Sequence, residues 1–133
     1  MRKSIRSLFT VCAVAAALAP AVPAAAAPAQ ASRIEVERAG GFAGRHDTYV
    51  VDRWTDGGRR PLRTASSGAF LRLRGSYGQL NACCDLFSYR VTVTYRGGRQ
   101  KEISTIQGAP APRILWDVIA DVQRVGQQPA GLR

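Results

Sequence analysis

The chain has 133 residues, of which 19 are Lys or Arg and 9 are Asp or Glu, so its formal net charge at pH 7 is +10. This length excludes a large multidomain enzyme, and no uninterrupted apolar run reaches the roughly 20 residues that a membrane-spanning helix needs. Almost all of the positive charge is arginine, because Lys3 and Lys101 are the only lysines.

Residues 1–31 have the pattern of a cleaved secretory signal peptide. A basic start and an apolar run over 8–22 precede the small-residue cleavage signal Ala29-Gln30-Ala31. The sequence therefore predicts a secreted protein with no membrane anchor after cleavage. We expect the mature chain to begin at Ser32, to form a single domain over 32–126 and to end in a flexible tail over 127–133.

The strongest secondary-structure signal lies between Phe87 and Ile106. Apolar and polar side chains alternate without a break from Phe87 to Arg96, and a period of two is typical of a strand with one buried face. Gly97-Gly98 follows, and two glycines can adopt the positive φ angles of a tight turn. These residues predict a β-hairpin at the centre of the fold.

A second hairpin is expected nearer the N terminus. In residues 33–38, Ile34 and Val36 alternate with charged neighbours, which predicts a short strand. Residues 45–54 are expected to form the strand that pairs with it. The connecting stretch, 39–44, has three glycines around Phe42, which favours a turn. Residues 55–60 predict a second turn or loop.

Two helices complete the predicted fold. Ser66 and Ser67 are candidate N-caps for a short helix that ends near Arg74, because apolar residues recur after them at helical spacing: Phe70, Leu73, Tyr77 and Leu80. Pro112 predicts the start of a C-terminal helix that ends at Gly126, with Asp117, Asp121 and Arg124 opposite its apolar stripe. We expect an α+β fold, in which a four-stranded antiparallel sheet of two hairpins carries both helices on one face.

The sequence offers no pattern of catalytic or metal-binding residues. His46 is the only histidine, no zinc-ligand spacing surrounds it, and no nucleophile motif is present. We therefore expect no enzyme activity, no metal and no cofactor. Cys83-Cys84 can form a vicinal disulfide, cross-link two chains or stay reduced; we favour the vicinal disulfide.

Basic residues are spread along the chain, with their densest group at Arg59, Arg60 and Arg63. One interpretation is a non-catalytic, envelope-associated module that binds acidic polymers through this surface. Because no aromatic residues are interleaved with the basic ones, we expect no nucleic-acid partner.

Three segments resemble the emfourin (protealysin inhibitor) family, which comprises small bacterial inhibitors of thermolysin-like zinc metalloproteases. They are RIEVERAGGFAG over 33–44, DLFSYRVTVTYRGGR over 85–99 and PRILWDVI over 112–119. The resemblance covers most of the mature chain, roughly from Arg33 to Val125. The sequence departs from the family where Cys84 stands in place of the usual proline before Asp85, and it has extra glycines over 59–80.

The resemblance implies a protease inhibitor whose partner is a thermolysin-like metalloprotease, and the predicted secretion is compatible with this function. We expect the protein to be a monomer. It implies tight, reversible occlusion of the active-site cleft by a glycine-rich loop made of Gly40, Gly41, Phe42, Ala43, Gly44 and Arg45. Asp85 is a secondary contact candidate. Phe42 itself is expected either to contact the protease or to fold back onto the core.

Overall fold

The computed structural model describes residues 27–78 and 85–126 of the chain. It has an α+β fold, which confirms the predicted class. The elements in chain order are strands β1 (Ala31–Gly40) and β2 (Arg45–Asp52), helices α1 (Arg59–Ala65) and α2 (Gly68–Leu71), strands β3 (Ser76–Tyr77), β4 (Phe87–Tyr95) and β5 (Gln100–Ile106), and helix α3 (Arg113–Val125).

Both predicted hairpins are present. Strands β1 and β2 pair in antiparallel register around the glycine-rich loop, and β4 pairs with β5 in the same way. Gly97 and Gly98 have φ angles of 91° and 86°, and the Gly98 N–H donates to the Tyr95 carbonyl at 3.0 Å. The glycine pair therefore closes the second turn as its sequence predicts.

The sheet itself differs from the prediction of four antiparallel strands. It has five strands in the order β2-β1-β4-β5-β3, and the two-residue strand β3 runs parallel to β5. The Ser104 N–H donates to the Gly75 carbonyl at 2.9 Å, next to this pairing. Tyr77, which shares the apolar spacing of the predicted helix but follows its expected end near Arg74, thus lies at a sheet edge. Phe70, Leu73 and Tyr77 are all buried, so apolar residues recur here at helical spacing although no continuous helix contains them.

The middle of the chain forms two short helices rather than a turn followed by one helix. Helix α1 begins at Arg59, inside the predicted loop, and α2 ends at Leu71, before Arg74. The Ser67 hydroxyl accepts a hydrogen bond from the Phe70 N–H at 3.3 Å, which confirms Ser67 as an N-cap. Leu80 lies outside the described residues.

Helices α1 and α3 cover one face of the sheet and enclose the core. Helix α3 ends at Gly126 as predicted and presents its apolar stripe to the strands. The prediction that Asp121 faces outward is wrong: it is only 7% exposed. Its carboxylate accepts from Arg124 and lies 3.1 Å from Nε of Arg60. This ion pair joins α3 to α1, which explains why a charged side chain lies between them.

The start of β1 belongs to the folded domain. The N–H of Ala31 donates to the Ser66 hydroxyl at 2.9 Å, and the Gln30 carbonyl accepts from the Arg96 N–H at 2.9 Å. The expected cleavage point between Ala31 and Ser32 therefore falls inside a strand. Most of the predicted signal peptide, 1–26, and the predicted tail, 127–133, lie outside the described residues. Among those that are described, no helix has the length and apolarity to cross a membrane.

Candidate functional site

The loop between β1 and β2 is a tight turn with an aromatic residue at its tip. The Gly44 N–H donates to the Gly41 carbonyl at 3.0 Å, which closes four residues around Phe42 and Ala43. Gly41 and Gly44 at the ends of the turn have φ angles of 74° and 57°. Glycine suits these positions because left-handed backbone is costly for residues with a Cβ atom.

Phe42 does not fold back onto the core. Its relative exposure is 95%, and it and Trp54 are the exposed large hydrophobic residues of the described chain. The structure thus excludes one of the two placements that the sequence allowed for Phe42. Ala43, Gly44 and Arg45 are also exposed, so most of the predicted contact loop is open to a partner.

A charged pair braces the hairpin below this tip. Arg38 and Asp47 face each other across β1 and β2, and the Arg38 guanidinium donates to Oδ2 of Asp47 from Nη2 at 2.7 Å and from Nε at 3.2 Å. Nη2 of Arg45 lies 3.6 Å from the other carboxylate oxygen. The hydrogen bonds from Arg38 hold the pKa of Asp47 below its ordinary value.

Arg38 also connects the hairpin to the central strand β4. Its guanidinium carbon lies 4.7 Å from the ring centroid of Phe87 and 5.9 Å from that of Tyr49, within the range of cation–π attraction. Asp47 raises the pKa of Arg38 through its hydrogen bonds, so the pair is charged at neutral pH. The two rings and the carboxylate restrict the orientation of this side chain.

The fold brings the two predicted contact regions to the same end of the sheet. Gly40 pairs with Phe87, and a Cβ atom built on Gly40 would lie 2.6 Å from the carbonyl oxygen of Leu86. Gly41 approaches the Phe87 ring, which such an atom would meet at 2.9 Å. Asp85, one residue before Leu86, is exposed and has a φ angle of 71°. Asp85 is therefore placed to contribute to the same surface as the loop.

His46 and Asp47 point to opposite faces of the sheet, as successive residues of a strand do. His46 lines an open depression of about 430 Å³ on the face without helices, beside Glu37, Ser88 and Arg90. Nε of Arg90 lies 3.6 Å from the carboxylate of Glu102, and Nη1 of Arg90 lies 3.4 Å from that of Glu37.

Across 27–78 and 85–126, no three His, Cys, Asp or Glu side chains form a group that could hold a metal ion. Cys83 and Cys84, with the possible vicinal disulfide, lie outside the described residues.

Sequence reasoning missed Trp54 as a surface feature. We expected it on β2, but the strand ends at Asp52, whose Oδ1 accepts from the Trp54 N–H at 2.8 Å and from the Thr55 hydroxyl at 3.1 Å. This local turn leaves Trp54 79% exposed. The signal was present in Asp52 and Thr55, since short polar side chains end strands by bonding the nearby backbone.

Comparisons of the chain with protein-family models, with curated proteins and with solved structures found no match.

Proposed function

We propose that this protein is a secreted inhibitor of a thermolysin-like zinc metalloprotease, which it blocks by inserting the Gly40–Arg45 loop into the active-site cleft. The observation that carries the proposal is Phe42, an aromatic side chain 95% exposed at the tip of a braced hairpin. The resemblance of 33–44, 85–99 and 112–119 to the emfourin family supports the class of target.

An aromatic ring in water at a loop tip is a strong candidate for a binding anchor. Moving a phenylalanine side chain from water into an apolar environment is worth about 1.5–3 kcal/mol. The free protein does not gain this free energy, because Phe42 makes no contact with the core cluster. A protease cleft that accommodates the ring would supply the missing burial, as aromatic anchors do in other interfaces.

The support below the loop suits a protein that binds without reorganising. The turn is closed by its own hydrogen bond, from Gly44 to Gly41, and Arg38 and Asp47 join the strands at its base. Gly40 and Gly41 rest against Leu86 and Phe87 so closely that no side chain fits between them. A loop fixed in this way loses little conformational entropy on binding, so more of the contact free energy appears as affinity.

Two exposed charged residues lie near the base of the loop. The side chain of Arg45 is 62% exposed, and Asp85 is exposed near the base of the loop. Charged residues at the rim of an interface orient the partners and raise the association rate more than they raise affinity. We therefore assign Phe42 the anchoring role and treat Arg45 and Asp85 as orienting contacts. On this proposal the chain binds a protease as a monomer and needs neither catalytic residue nor cofactor.

The test is a titration of thermolysin with the purified mature protein, measured as residual peptidase activity. We expect activity to fall to near zero at one equivalent of inhibitor, and a trypsin-type serine protease to keep its activity. Phe42→Ala should weaken inhibition by at least tenfold, because it removes the anchor and leaves the scaffold unchanged. Its melting temperature should stay within a few degrees of the wild type, since the ring touches no core residue.

Trp54→Ala is the matched control, since it removes the other exposed aromatic residue, at the opposite end of β2. It should inhibit as the wild type does. A wild-type protein that leaves a panel of thermolysin-like proteases active at micromolar concentration would contradict the proposal. Equal weakening by Phe42→Ala and Trp54→Ala would contradict the role assigned to the loop.

A further inference from the structure

Four arginines that are distant in sequence converge on a groove at the start of β1. The groove has a volume of about 420 Å³, and Arg53, Arg59, Arg63 and Arg96 contribute to its walls. Arg53 follows β2, Arg59 and Arg63 belong to α1, and Arg96 lies in the turn after β4. We call this feature the arginine groove. The other residues that line it are uncharged.

The positive charge of the groove is not neutralised by the protein. In the described part of the chain none of its four arginines has a carboxylate within ion-pair distance, whereas seven arginines elsewhere do: Arg33, Arg38, Arg45, Arg60, Arg90, Arg113 and Arg124. Arg59 and Arg63 are four residues apart on one helix, where like charges repel and destabilise the helix. A bound anion would relieve this repulsion.

An exposed aromatic ring stands beside the groove. The guanidinium carbon of Arg53 lies 4.9 Å from the ring centroid of Trp54, and the hydrogen bonds of Asp52 hold the backbone of this turn in place. Trp54 is 79% exposed, so most of its surface is open to a ligand. An exposed aromatic ring next to arginines without ion pairs combines a stacking surface with phosphate-binding groups.

We propose that the arginine groove and Trp54 bind single-stranded nucleic acid. The arginines would bind successive phosphates, for which the planar guanidinium is well suited, and Trp54 would stack on a base. The sequence predicted no nucleic-acid partner because the arginines are spread along it and no aromatic residues are interleaved with them. Folding removes that objection, since it gathers arginines from three separate segments next to a tryptophan.

This site is independent of the proposed inhibitory loop. Strand β1 runs from Ala31, at the groove, to Gly40, at the loop, and ten residues of strand span roughly 30 Å. A protease on Phe42 and a nucleic acid on Trp54 could therefore be bound at the same time. Loss of one activity by mutation should leave the other intact.

The experiment measures, by anisotropy at 50 mM salt, the binding of a fluorescein-labelled 12-nucleotide oligothymidylate to a chain that begins at Pro28, which keeps Gln30 and Ala31 in the wall of the groove. We expect micromolar affinity that falls as salt rises, because counterions are released from the phosphates. The double variant Arg59→Gln/Arg63→Gln should weaken binding at least tenfold and reduce the salt dependence. Trp54→Ala should weaken it about tenfold through lost stacking.

The double variant Arg72→Gln/Arg113→Gln is the matched control, because it removes two exposed arginines outside the groove and changes the net charge equally. It should weaken binding less than threefold. Equal weakening by both double variants would overturn the proposal in favour of a diffuse basic surface. Inorganic polyphosphate of the same charge should bind more weakly than the oligonucleotide. If it competes equally well and Trp54→Ala has no effect, the groove is a general anion site and nucleic-acid recognition is wrong.

Discussion

Arg38 and Asp47 face each other across the first two strands, with Nη2 of the arginine 2.7 Å from Oδ2 of the aspartate. Both side chains are largely shielded from solvent, and the guanidinium also packs on the ring of Phe87. The pair therefore links β2, β1 and β4 directly beneath the exposed tip. It connects the stability of the scaffold to the geometry of the loop that we propose as the inhibitory site.

The first prediction concerns the acid stability that this pair confers. Because the pKa of Asp47 is lowered by Arg38 from 3.8 in the unfolded chain, the unfolded state binds protons more readily than the folded state below about pH 5. The stabilisation is complete above the unfolded-state pKa and is lost as pH falls through the lower, folded-state pKa. Asp47→Asn should therefore lower the free energy of unfolding at pH 7. It should also make this free energy depend less on pH between about pH 5 and pH 2, as measured by urea unfolding.

Asp52 should contribute to the same dependence of stability on pH, because the hydrogen bond from the Trp54 N–H lowers the pKa of its carboxyl group. Asp56→Asn is the control for net charge, because it removes one carboxylate from an exposed turn residue. A slope unchanged by Asp47→Asn would show that the Arg38 pair does not govern acid stability.

The second prediction separates two glycines of the loop. Gly40 has a φ angle of 111°, and a Cβ atom there would lie 2.6 Å from the Leu86 carbonyl oxygen, whereas Gly44 has a φ of 57° with open space around it. Gly44→Ala should cost about 1 kcal/mol, the penalty for left-handed backbone alone. Gly40→Ala should cost about 2–3 kcal/mol, because the backbone must also move away from Leu86. Denaturant unfolding of both variants measures the difference, and equal losses would contradict the close approach.

The hairpins and α3 could be predicted because their signals are local. Each of these elements is specified within a short segment. The signals are the alternation from Phe87 onward, the Gly97-Gly98 pair, and the apolar stripe between Pro112 and Gly126. The tight glycine loop was also visible for this reason. The exposure of Phe42 was not, because a loop residue's direction depends on which strands pack beneath it.

The mixed sheet and the arginine groove could not be predicted because they depend on distant pairings. Strand β3 has two residues, too few for a period, and it forms only where β5 offers a free edge. Arg53 and Arg96 are 43 positions apart in the sequence, yet both line the groove, because β1 lies between β2 and β4. Asp121 was misplaced for a similar reason, since its partner Arg60 lies on a helix that the sequence pattern did not reveal.

The third prediction concerns Lys101, the only lysine within the predicted mature chain. Its ammonium group donates to the carbonyls of Leu71 at 3.1 Å and Leu73 at 2.7 Å, and so holds the end of α2 against β5. Lys101→Met keeps most of the apolar stem and removes both donors, so it should destabilise the protein by about 1–3 kcal/mol. Thermal unfolding checks this value. Arg113→Met, at a side chain that is 92% exposed, is the control and should change stability by less than 0.5 kcal/mol.

The last prediction concerns the N-terminal end of the folded domain. A chain that begins at Ser32 lacks the bond from Ala31 to Ser66 and the bond from Arg96 to the Gln30 carbonyl. It also loses the contacts of Ala29 and Ala31 with the core. Two hydrogen bonds are worth about 0.5–1.5 kcal/mol each.

A chain that begins at Pro28 should therefore be roughly 1–3 kcal/mol more stable than one that begins at Ser32, as measured by the midpoint of urea unfolding. Ser66→Ala removes the acceptor of the Ala31 N–H, so it should destabilise the longer chain more than the shorter one. If the two chains have the same midpoint, the residues before Ser32 do not contribute to the fold. A stability difference with the predicted dependence on Ser66 would show that the folded domain begins upstream of Ala31. Signal cleavage before that residue would then produce the more stable inhibitor.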